Sequence, residues 1–137
     1  MDEESILIVD DESSIREVLC SILQEAGCRT LEAGTAEEGL ELMDTAVISV
    51  AMVDLKLPGM SGIDLLTEIK RRSPSTEVII MTSYASVETA IEAIRRDVYD
   101  YIQKPFEDLD QPWTVVRRAL EKRTLTRRNQ ELVGDLE

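Results

Sequence analysis

Residues 6–12 read Ile6-Leu7-Ile8-Val9-Asp10-Asp11-Glu12, a short apolar run that ends abruptly on three carboxylates. A run this short, with no polar alternation, is a strand buried on both faces and belongs to a parallel sheet covered by helices. The pattern recurs along the chain. Arg29 to Ala33 is a weaker second run, and Ile48-Ser49-Val50-Ala51-Met52-Val53 ends in Asp54. Val78-Ile79-Ile80-Met81 ends in Thr82, and Val98 to Ile102 runs into Lys104-Pro105.

Helical patterns fill the gaps. Ser13 or Ser14 is placed to cap a helix carrying Ile15, Val18, Leu19, Ile22 and Leu23, which Gly27 ends. Thr35-Ala36-Glu37-Glu38 fits a capping box ahead of Leu40 and Leu42. Ile63, Leu65, Leu66 and Ile69 mark a third helix, stopped near Ser73-Pro74. Ser86 opens a fourth with Val87, Ala90, Ile91 and Ile94, and a fifth starts between Asp108 and Pro112. Strand and helix thus alternate five times, which gives an α/β fold: a doubly wound, five-stranded parallel sheet with helices on both faces. Ligands of such sheets bind outside the carboxyl ends of the strands. The residues expected there are Asp10, Asp11, Asp54, Thr82 and Lys104.

Composition narrows the function. The chain has 137 residues, enough for one domain, and a net charge of −13. So acidic a domain does not grip nucleic acid by itself and suits a positively charged partner or ion. It has no histidine, which removes Ser-His-Asp and Cys-His nucleophile systems, His-ligated zinc and any phosphohistidine on this chain. Cys20 and Cys28 form no close-spaced metal motif and read as reduced thiols of a cytoplasmic protein. The acidic start Met1-Asp2-Glu3-Glu4 is unlike a signal peptide, and no apolar run reaches membrane-spanning length.

Asp10, Asp11 and Asp54 at adjacent strand ends repel one another unless a cation sits among them. Oxygen ligands favour a hard ion, for which Mg2+ is the cellular choice. An aspartate carboxylate beside such an ion can attack phosphorus and form an acyl phosphate. Thr82 can donate to a phosphoryl oxygen, and Lys104 adds a point charge on a long stem. Taken singly, each has a plainer reading, as helix cap, strand-end hydroxyl or ion-pair partner.

In this order and at these strand ends, the motifs resemble the receiver domain of two-component response regulators, a flavodoxin-like (βα)5 fold, over about residues 5–121. They are Ile8-Val9-Asp10-Asp11-Glu12, Val53-Asp54-Leu55-Lys56-Leu57-Pro58-Gly59-Met60-Ser61-Gly62, Met81-Thr82-Ser83 and Tyr101-Ile102-Gln103-Lys104-Pro105-Phe106. The resemblance implies that Asp54 accepts a phosphoryl group from a sensor histidine kinase or phosphotransfer protein. It implies Mg2+ on Asp11, Asp54 and the Lys56 carbonyl, with Asp10 acting largely through water. It makes Thr82 and Lys104 the phosphoryl contacts and Tyr101 an aromatic switch that turns inward when Thr82 moves. The Lys104-Pro105 peptide is expected to be cis, and Lys56 and Tyr84 to flank the hydrolytic water and tune phosphoryl lifetime. The activated surface is that of the fourth helix, fifth strand and fifth helix. The domain serves as a switch rather than an enzyme, assisting only its own phosphoryl transfer and hydrolysis.

Two stretches depart from this pattern. Many relatives have Gly-Ala where Asp97-Val98 precedes the fifth strand, and Asp accepts left-handed geometry less well than Gly. The segment after Phe106 is one residue longer than in close relatives. From Pro112 onward there are six Lys or Arg against four Asp or Glu, so residues 1–111 hold the acidic excess. Leu125, Asn129, Leu132 and Leu136 follow heptad spacing, where an Asn can set a parallel dimer's register. Residues 122–137 therefore read as a helical linker after a receiver domain of residues 1–121. It is similar to linkers leading to an ATPase and DNA-binding output, and a homodimer is expected through it. Two other classes compete. One is a constitutive interaction module with vestigial phosphorylation, which the intact Asp11, Asp54, Thr82 and Lys104 oppose. The other is a Mg2+-dependent aspartyl phosphatase, which needs a second acid where Lys56 stands. A cofactor binder of the same fold would need a phosphate-cradling loop where Asp10-Asp11-Glu12 repel phosphate.

Overall fold

The computed structural model describes residues 4–136. Among them, strands and helices alternate in the expected order: β1 (Glu4–Val9), α1 (Ser13–Glu25), β2 (Arg29–Ala33), α2 (Ala36–Met43), β3 (Val47–Asp54), α3 (Gly62–Arg72), β4 (Glu77–Thr82), α4 (Val87–Arg95), β5 (Asp100–Gln103) and α5 (Gln111–Leu136). All strand pairs are parallel, in the order β2-β1-β3-β4-β5. The order reverses between β1 and β3, where a crevice opens above the strand ends.

Alternate residues of each central strand feed opposite layers. Leu7, Val9, Ala51, Val53, Val78 and Ile80 meet Leu65, Leu66 and Ile69 of α3 and Ala93 of α4. Ile6, Ile8, Val50, Met52, Ile79 and Met81 meet Leu19 and Leu23 of α1 and Val116 and Ala119 of α5. The two-sided burial explains why the strands read as unbroken apolar runs. Cys20 and Cys28 are free thiols, and burial pushes both above the usual cysteine value.

Local signals explain most boundaries. Thr35 caps α2 by accepting the Glu38 N–H at 3.2 Å, while the Glu38 carboxylate accepts the Gly34 N–H at 3.1 Å, one residue short of the reciprocal box partner. Ser86 caps α4, Ser61 caps α3, and Gly27 closes α1 at φ +92°. Asp108 Oδ1 accepts the N–H groups of Asp110 and Gln111 and so starts α5. Two expectations are corrected. Neither Ser13 nor Ser14 caps α1: Glu12 holds the cap position without a side-chain bond, and Asp10 Oδ1 accepts the Glu12 N–H at 2.9 Å instead. The fifth strand begins at Asp100, not Val98, because Val98 N–H bonds back to the Ala93 carbonyl and closes α4.

α5 runs unbroken across the expected domain limit at residue 121. Just beyond it, Lys122 Nζ lies 3.2 Å from Glu77 of β4 and the buried Arg123 pairs with Glu4 of β1. The first turn of the extension is thus tied to the far end of the sheet. In the heptad seam, Leu125 is exposed, and the side chains of Leu132 and Leu136 lie outside the described residues. No helix is long and apolar enough to cross a membrane among the described residues.

Asp97 stands at φ +64°, the left-handed region, with its carboxylate 3.6 Å from Lys70 Nζ and largely exposed. An exposed pair of this kind contributes little, so the backbone decides the effect of substitution. Asp97→Gly is expected to stabilise the fold and Asp97→Ala to destabilise it, the two differing by about 1 kcal/mol. Urea denaturation of the three proteins measures the order.

Candidate functional site

The strand ends assemble the site. β1 delivers Asp10 and Asp11, β3 delivers Asp54, β4 delivers Thr82, and Lys104 lies just past β5. Asp10 is fully buried, and Asp54 and Lys104 are each only 6% exposed. Lys104 Nζ donates to Asp10 Oδ2 at 2.6 Å and lies 3.4 Å from Asp54 Oδ2. Its backbone is held by Lys104 N–H donating to the Thr82 carbonyl at 2.8 Å, and the Lys104-Pro105 peptide is cis, as expected. The ammonium thus bridges two buried carboxylates across the intervening strand β4.

Asp54 is held from below. Leu55 N–H donates to the Met81 carbonyl at 2.9 Å, and Gly62 N–H donates to the Leu55 carbonyl at 2.7 Å. A Cβ on Gly62 would stand 2.3 Å from the Asp54 carbonyl oxygen. Glycine is required there so that α3 can close directly beneath Asp54. Lys56 N–H reaches Asp54 Oδ1 at 3.4 Å. Burial, and then the nearby Asp10 charge, push the Asp54 carboxyl above its ordinary value against the opposing pull of Lys104. Burial alone would lower Lys104, but the Asp10 hydrogen bond and the Asp10 and Asp54 charges hold it above the usual lysine value.

One oxygen from each of Asp10, Asp11 and Glu12 lies within 4.8 Å of the others, with Asp11 and Glu12 facing solvent. This all-oxygen, open-sided set fits a hard cation that keeps part of its water shell, as Mg2+ does. Asp54 is linked to the trio through Lys104 and Asp10. Glu12 was not among the expected ligands, although it stands in the same acidic run.

At the mouth, Lys56 Nζ sits 4.0 Å above the ring centroid of Tyr84, which is 63% exposed. Thr82 Oγ1 accepts the Tyr84 N–H at 2.9 Å. Away from the mouth, the Tyr101 hydroxyl shares a 2.7 Å hydrogen bond with Thr89 Oγ1 and accepts the Ser86 N–H at 3.4 Å. β5 is thereby tied to the first turn of α4. The structure brings all the expected residues to one end of the sheet or its rim, with Tyr101 set back from the carboxylates. Gly62, Glu12 and Arg16, whose guanidinium reaches the Asp10 carbonyl, are additions.

Residues 6–112 match the response regulator receiver domain family. The chain is 43% identical over 115 residues to the DNA-binding transcriptional regulator NtrC of Klebsiella pneumoniae, covering 82% of this chain and 24% of that protein. It is 40% identical over 120 residues to the regulatory protein AtoC of Escherichia coli K12, covering 88% and 26%. The chain spans about a quarter of the length of these relatives. It also resembles the solution structure of the beryllofluoride-activated NtrC4 receiver domain dimer, with a TM-score of 0.82 and 32% identity over 87% of this chain and 98% of that one.

The raised Asp54 value has a pH consequence. An acid whose folded value is raised costs stability when ionised, and that cost disappears as pH falls through the folded value. Without divalent metal, Asp54→Asn is expected to melt several degrees higher than wild type at neutral pH. The advantage should fade as pH falls toward 3.8, the ordinary aspartate value. Thermal melts in chelator across that range check both the sign and the window.

Proposed function

We propose that this chain, which belongs to the response regulator receiver domain family, is a phosphorylation-activated switch with Asp54 as its phosphoacceptor. The observation that carries the reading is the buried Asp54 bridged by Lys104 to Asp10 beside an open trio of carboxylates. The family is a regulatory phosphoacceptor domain rather than an enzyme class. The donor is a phosphohistidine on a sensor kinase or phosphotransfer protein. An Asp54 oxygen attacks phosphorus, the P–N bond breaks, and the imidazole leaves with a proton as the acyl phosphate forms. Asp11, Asp54 and the Lys56 carbonyl would hold Mg2+, with Asp10 acting through water. When bound, the ion neutralises charge on the transferring phosphoryl group.

Lys104 then turns from Asp54 to a phosphoryl oxygen, and Thr82 donates its hydroxyl proton to another. Thr82 moves, space opens behind it, and Tyr101 is drawn inward at the expense of its bonds to Thr89 and Ser86. The chain shifts between two populations rather than being built anew. The changed face of α4, β5 and α5 is read by an output domain, which in relatives named as transcriptional regulators would control transcription in the cytoplasm. The extension through Leu125 and Asn129 provides the homodimer seam; that a receiver domain can pair at all is supported by a solved relative that is itself a dimer. Lys56 and Tyr84 screen the approach of hydrolytic water to Asp54.

Acetyl phosphate with Mg2+, followed by intact-mass spectrometry, tests the assignment. Wild type is expected to gain one phosphoryl group and Asp54→Ala none. Tyr84→Ala is expected to be labelled but to lose the group at a rate differing from wild type by about threefold or more. Labelling of Asp54→Ala to the wild-type level, or an unlabelled wild type, contradicts the reading. In the latter case a constitutive interaction module takes its place.

A further inference from the structure

Every polar atom of Asp10 has a partner. Its carboxylate takes Lys104 and the Glu12 N–H, and its own N–H donates to the Ala33 carbonyl at 3.1 Å. Its carbonyl lies one residue past the last strand pairs, Val9 with Ala33 and Val9 with Val53, so the sheet supplies it no donor. Arg16 supplies that donor from α1, with Nη1 at 2.5 Å. The same guanidinium places Nε 3.3 Å from Glu32 of β2, and its side chain is only 20% exposed.

The peptide unit is planar, so pinning the Asp10 carbonyl oxygen also fixes the Asp11 nitrogen and Cα. That plane sets where the Asp11 Cα stands, and so constrains where its carboxylate can meet those of Glu12 and Asp10. Building on the metal reading above, we infer that Arg16 is a positioning residue of the cation site: it clamps the Asp10–Asp11 peptide so that Asp11 faces the ion.

The inference has a distinctive sign. Arg16 is a cation beside a cation site, so by Coulomb repulsion alone its removal would tighten Mg2+ binding. As a clamp, its removal loosens binding. Groups that orient metal ligands from behind contribute tenfold or more to affinity when lost.

Calorimetric titration with magnesium chloride on wild type, Arg16→Ala and Arg16→Lys, paired with melting curves in chelator, separates the cases. The expected result is Mg2+ binding about tenfold weaker in Arg16→Ala and within about threefold of wild type in Arg16→Lys. Should Arg16→Ala fail to fold, Arg16→Met keeps most of the stem and replaces it. Unchanged or tighter binding in the neutral variant, or a loss that lysine does not restore, overturns the inference. Absence of saturable Mg2+ binding in wild type is a separate outcome: it overturns the metal reading, and this inference falls with it.

Discussion

The structure depends on one buried ammonium. Asp10 and Asp54 sit at the ends of neighbouring strands, β1 and β3, in the crevice where the sheet order reverses. Two carboxylates with so little exposure repel each other and lack water. Lys104 answers both with Nζ at 2.6 and 3.4 Å, reaching across β4 from the end of β5. Removing Lys104 from such a buried network costs about 3–5 kcal/mol, because it strands both carboxylates. The two carboxylates differ in how they are held. Asp10 is saturated by Lys104, Glu12, Ala33 and Arg16. Asp54 has a long bond from Lys56 N–H and a 3.4 Å approach from Lys104, and burial pushes its carboxyl above the ordinary value. A buried carboxylate with contacts this long is the group best placed to take a new partner.

The opposite end of the sheet repeats the theme with other residues. Glu77 and Glu4, at the starts of β4 and β1, meet Lys122 and Arg123 of α5. The helix that covers one face of the core is therefore pinned to the sheet at Lys122 and Arg123. Between the two ends, Tyr101 links β5 to Thr89 and Ser86 of α4, so the site, the strand and the helix face form one connected set.

Much of this was legible in the sequence. Each central strand is buried on both faces, so each appears as an apolar run, and the residue that breaks the run is the one at the strand end. That is why Asp10, Asp54 and Thr82 could be placed before any coordinates. The misses have physical causes. Val98 is apolar and joined a strand on paper, but Asp97 at φ +64° turns the chain and commits the Val98 N–H to α4. Ser13 and Ser14 look like caps, yet the helix already begins at Ser13, with the Glu12 carbonyl accepting the Arg16 N–H. Gly62 matters because a Cβ there would stand 2.3 Å from the Asp54 carbonyl oxygen, a clash no linear pattern encodes. Arg16 reads as one more charge on a helix, and its bond to a carbonyl six residues earlier depends on how β1 turns into α1.

In a switch of this kind, a change at Asp54 reaches Tyr101 and α4 through Thr82 and Lys104. The most direct measurement is residue-resolved NMR of the chain with Mg2+, before and after addition of beryllofluoride as a phosphoryl mimic. The account predicts shifts at Asp54, Thr82 and Lys104 that extend to Tyr101, Ser86 and Thr89. Shifts confined to the neighbours of Asp54, with Tyr101 and α4 unmoved, would contradict it.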